Sequence, residues 1–160
     1  MNVHSLKRDV AGRRYRELLK VLLRTQESFS LTWRDQLSFE SSAHEIGTTL
    51  QAVEVRRKHT AHWPGTRLVG SKAVVVTYQA TGEALETLAI PGSLYSWRSP
   101  RFPEDLAFYA SPRACSFASV AHEREAWVLH RSLAKELSQL IALELEEIPG
   151  FSEPIIAGAV

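Results

Sequence analysis

The chain has a single cysteine, Cys115. No intrachain disulfide can brace it, and a reducing compartment suits it. It has no run of about 18 apolar residues, the length a spanning helix needs. The opening residues Met1 to Asp9 lack the apolar segment of a secretory leader. These absences predict a cytoplasmic protein with no membrane partner. Charge of one sign is missing as well. The 19 Lys and Arg nearly balance 18 Asp and Glu, so net charge names no partner class. The Gly-x-Ser-x-Gly elbow of a serine hydrolase is absent, as are repeats and low-complexity tracts.

What is present suits one folded unit. The 160 residues are 44% hydrophobic and 23% charged, enough for a core of their own. Four Trp, four Tyr and six Phe argue against disorder. The charges are unevenly spread. Lys7, Arg8, Arg13, Arg14, Arg16, Lys20 and Arg24 face only Asp9 and Glu17 in the first 24 residues. The last 30 carry Glu136, Glu144, Glu146, Glu147 and Glu153 against Arg131 and Lys135. Two terminal helices with opposite solvent faces, packed side by side, explain this best. A nucleic-acid surface on the first helix is the alternative.

Periodicity divides the chain. Tyr15, Leu18, Leu19, Leu22 and Leu23 form one stripe of a helix over 6–26, which Ser5 would cap and Gly12 would weaken. Phe29, Leu31 and Trp33 alternate with polar residues and predict a strand, with a continuation through Leu37 and Phe39. Ser42-x-x-Glu45 is a capping box that opens a helix over 42–54. Trp63-Pro64-Gly65-Thr66 is a turn. Lys72 to Tyr78 is the clearest strand, apolar on both faces around Ala73 to Val76, which predicts a central position. Further strands are expected at 106–109, 116–121 and 126–130, and a last helix at 132–147. The result is an α+β fold: a mainly antiparallel sheet flanked by N- and C-terminal helices. Residues 1–150 would form one domain and 151–160 a flexible or partner-ordered tail.

Several chemistries fail on spacing. Gly65 to Lys72 approaches a phosphate-binding loop, but Gly-Ser-Lys replaces Gly-Lys-Ser, and the segment opens a strand instead of a helix. His122-Glu123 lacks a second histidine one helical turn later, because position 126 is Ala. His59-x-x-His62 lacks a third ligand nearby. Cys115 has no activating neighbour in sequence. Glu104 and Asp105 are adjacent, so a regular strand would point them to opposite faces. No metal and no cofactor is expected.

The densest stretch runs from Leu94 to His130, with Tyr95, Trp97, Arg98 and Arg101 in a proline-punctuated loop. Trp63-Pro64-Gly65-Thr66, Leu94-Tyr95-x-Trp97, Pro103-Glu104-Asp105-Leu106-x-Phe108-Tyr109 and His122-Glu123 together resemble an uncharacterised family of small bacterial proteins, over residues 60–125. The resemblance implies a bacterial cytosolic protein and carries over no activity. In style the chain is also similar to toxin-neutralising immunity proteins.

The resulting expectation is a small protein-binding factor, immunity-like or accessory, that works by contact and not by chemistry. Tyr95, Trp97, Arg98 and Arg101 would line its partner surface, the aromatics as anchors. The alternative is a hydrolytic, nuclease-like enzyme with His122 as acid or base and Glu104, Asp105 or Glu123 as carboxylates. The two differ in space. An enzyme needs His122 and a carboxylate converging. A contact protein needs exposed aromatics.

Overall fold

A computed structural model describes residues 3–150. The predicted tail, 151–160, lies outside them. Ten strands and four α-helices follow in the order β1 (Val3–Leu6), α1 (Gly12–Thr25), β2 (Ser28–Arg34), α2 (Ser41–Leu50), β3 (Glu54–Thr60), β4 (His62–Trp63), β5 (Thr66–Arg67), β6 (Ala73–Gln79), α3 (Leu85–Ala89), β7 (Glu104–Ser111), β8 (Ala114–Val120), β9 (Glu125–Val128), α4 (Arg131–Ile141) and β10 (Leu145–Ile148). Eight strands make one antiparallel sheet, ordered β10-β1-β9-β8-β7-β2-β6-β3, and β4 and β5 form a separate small hairpin. The α+β class read from the sequence is the observed one.

All four helices cover the same face of the sheet. Tyr15, Leu18, Leu19 and Leu22 of α1, Ile46 of α2, Leu88 of α3 and Leu137 of α4 join Phe29, Leu31, Val76, Tyr78, Phe108 and Phe117 in one core. A second apolar cluster lies on the opposite face and contains no helical residue: Val3, Ala107, Tyr109, Cys115, Ala118, Val120, Trp127 and Leu129. The β4–β5 hairpin folds over part of that face. Its turn residue Gly65 has φ +82°, and a Cβ there would lie 2.6 Å from Val120 Cγ2. Only glycine fits this backbone and this contact without strain.

The termini depart from the sequence reading. The helix expected over 6–26 begins at Gly12, because Val3–Leu6 is taken up as β1 between β9 and β10. The helix expected to reach 147 stops at Ala142, which has φ 50°, and Leu145–Ile148 returns as the edge strand β10. No strand continues through Leu37 and Phe39. Phe39 instead packs its ring on Trp33, with centroids 4.9 Å apart. Arg56 to Thr60, basic and without an apolar alternation, is the opposite edge strand, β3. Nor is β6 central: it lies next to that edge, and Val74 and Val75 are half-buried. Burial on both faces is found instead along β7 and β8 and in the middle of β2.

Several cations of the N-terminal segment meet carboxylates. Arg24 lies 3.7 Å from Glu136 on α4, Arg8 lies 3.0 Å from Glu144, and Arg16 pairs with Glu86 of α3. The acidic and basic terminal segments are therefore joined by two of these pairs, Arg8 with Glu144 and Arg24 with Glu136.

Candidate functional site

Asp105 is the point where the motif-bearing segments meet. Between β2 and β7 the register shifts: Ala107 is opposite Ser30, yet Glu104 is opposite Thr32. The extra residue makes a bulge, and Asp105 within it adopts φ 57°. The side-chain alternation slips by one, so Glu104 joins Thr32 and Ala107 on the face away from the helices. The Asp105 carboxylate points the same way. Its Oδ2 accepts the indole N–H of Trp63 at 2.8 Å, and its Oδ1 accepts the Ala121 amide at 3.1 Å. The Asp105 amide in turn donates to the Trp97 carbonyl at 3.3 Å. One buried residue, through its side chain and its amide, thus ties the hairpin, the loop before β7 and the turn after β8 together. Burial pushes its carboxyl up to about 6, against the pull of the Trp63 bond and with Glu104 adding to the rise.

This corrects the expectation that Glu104 and Asp105 point apart. The bulge removes the strict alternation on which it rests. A ligand atom from each of Glu104, Asp105 and His122 lies within 4.8 Å of the others. Glu104 is buried, with Arg34 Nη1 3.8 Å from its Oε2. His122 and Glu123 sit on a short 3-10 turn at the surface, and their side chains are 3.7 Å apart.

The proposed aromatic anchors are not at the surface. Trp97 is completely buried, and its indole N–H donates to the Tyr15 hydroxyl at 2.7 Å, which donates onward to the Leu88 carbonyl. Phe102 packs edge-on against it at 6.0 Å. Tyr95 is buried as well, under the Arg124 guanidinium at 5.5 Å. Both rings hold the loop onto the core, so neither is a partner anchor. Arg98 and Arg101 are exposed and flank a depression of about 410 Å³ between Ile90 and Phe102.

His59 and His62 stand on different strands, and an extended backbone turns residues three apart to opposite faces. His59 instead meets Asp35, 2.6 Å away. Cys115 is buried, which pushes its thiol up to about 12 and leaves it inert.

A second groove had no motif in the sequence to announce it. It occupies about 330 Å³ on the face away from the helices, between β3, β6 and the β4–β5 hairpin. Val55, Val75, Trp63, Pro64 and Tyr109 give it apolar walls, and Thr77 and Ser28 contribute hydroxyls. Arg56, Lys58 and His62 stand on its rim, against the single carboxylate of Glu27. Its outer wall, β3, is the last strand of the sheet and, among the described residues, pairs only with β6. The one available signal was the period-two run Arg56-x-Lys58-x-Thr60, which puts alternate residues on one strand face. No protein-family model, curated protein or solved structure matches the chain.

Proposed function

We propose that this chain is a protein-binding factor of the bacterial cytoplasm that holds an extended acidic segment of another protein in the groove beside β3. The observation that carries the reading is charge complementarity. Two permanent cations and a histidine rim an apolar trough with one opposing carboxylate. The unpaired edge of β3 offers backbone donors and acceptors to an added strand. A strand laid there would turn alternate side chains to the face that carries Arg56 and Lys58, where carboxylates would meet the two cations. An immunity-like or accessory role by contact fits this arrangement. The partner surface moves from loop 94–105 to the open sheet face, because Tyr95 and Trp97 belong to the core.

The test uses a fluorescein-labelled ten-residue peptide alternating Glu with Leu or Tyr, followed by anisotropy. The parent protein is expected to bind it, more weakly as salt rises. Arg56→Glu with Lys58→Glu is expected to weaken binding at least about tenfold, without loss of the cooperative melt, since both positions lie on an edge strand. Equal binding by the reversed protein, or none by the parent, would count against the reading.

One observation favours hydrolysis as a second reading: His122 converges with Glu104 and Asp105. Both Asp105 oxygens already accept hydrogen bonds within the fold, and none of the three residues lines either groove described above. The contact reading therefore ranks first.

A further inference from the structure

We propose that Glu104, Asp105 and His122 form a binding site for a divalent transition-metal cation, with zinc as the best-matched ion. The inference is independent of the groove and its partner. Two carboxylates and an imidazole are a donor set that zinc, manganese and ferrous iron all accept, and zinc takes such ligands at about 2.0–2.2 Å. Ligand atoms around one ion then lie about 3–4 Å apart by that geometry. Here they already fall within 4.8 Å of one another. His122 stands on an exposed turn, where its side chain has room to adjust.

A second observation points to a missing occupant. Glu104 Oε2 has no hydrogen-bond donor although its side chain is only 5% exposed. Its register partner Thr32 buries a hydroxyl that is also without a partner. Buried polar atoms are nearly always satisfied by protein, water or an ion. Two such oxygens on one patch of sheet mark a place that a cation and its waters would complete. Asp105 is held for the role by Trp63 and Ala121, and each of its oxygens keeps a further lone pair. Three protein ligands would leave a coordination position for water, and His122 gives the site its opening to solvent. The competing explanation is that Arg34, 3.8 Å from Glu104, is the only cation the carboxylates need.

The experiment uses the full chain without a histidine tag, stripped with chelator and titrated with zinc chloride by calorimetry, with melting followed in parallel. The expected result is one zinc per chain and a raised melting temperature. His122→Ala and Glu104→Gln should each weaken binding at least about tenfold, whereas His59→Ala with His62→Ala should leave it unchanged. Should Glu104→Gln fail to fold, His122→Ala decides the matter, because its side chain stands on an exposed turn. No stoichiometric binding, or zinc bound equally well by His122→Ala, would overturn the site. Loss of zinc in the His59 and His62 variant would overturn it too.

Discussion

At the scale of single residues, the aromatic and acidic side chains that stand out in the sequence act mainly inward. Trp97 donates to Tyr15, Tyr15 donates to Leu88, and Trp63 donates to Asp105. Tryptophan has the same composition signature in a core as at an interface, and only burial separates the two. That is why Trp97 reads as an anchor from sequence and proves to be a pillar. Trp97→Ala is expected to cost about 3–5 kcal/mol of stability, the range for truncating a large buried ring. Chemical denaturation would measure it, and a loss below about 1 kcal/mol would contradict the buried placement. The meeting of Glu104 with Asp105 was illegible for a different reason. A bulge is set by the register of β2 against β7, and neither strand's own pattern encodes the slip.

At the scale of elements, strong local periodicity was readable and pairing across the chain was not. The stripe of α1 and the alternation of Phe29, Leu31 and Trp33 announced a helix and a strand near their observed positions. Val3–Leu6 and Leu145–Ile148 did not announce themselves, because each is four residues long and is a strand through pairing with segments far away in the chain. Glu146 and Glu147 prolonged the helical pattern of α4 past the point where Ala142 turns the chain. The β4–β5 hairpin is the element most dependent on one residue. Gly65→Ala would force a side chain into a positive φ and against Val120 and Trp127. The expected cost is about 2–5 kcal/mol, combining backbone strain with overpacking. The hairpin should also loosen before the rest of the sheet. Hydrogen exchange would show faster amides at 62–67 in the variant, whereas unchanged stability would mean that the turn relaxes freely.

At the scale of the whole molecule, the sheet has two unlike faces. Helices seal one, while the other is closed by its own apolar cluster and the hairpin near β8 and β9, and stays open beside β6 and β3. The two edges also differ in charge. β10 carries Glu146 and Glu147, whereas β3 carries Arg56, Arg57 and Lys58. The fold class was legible because most of the strands lie between α1 and α4 in the chain. The groove was not, because its walls come from segments far apart in sequence and its rim looked like an unremarkable basic stretch. The most direct test of the account follows the backbone amides of labelled protein by NMR while the acidic ten-residue peptide is added. Shifts are expected to concentrate at 54–60, 62–67 and 75–79, with α1 and loop 94–102 unmoved. Shifts centred on Arg98 and Arg101 or on α1, with β3 silent, would contradict it.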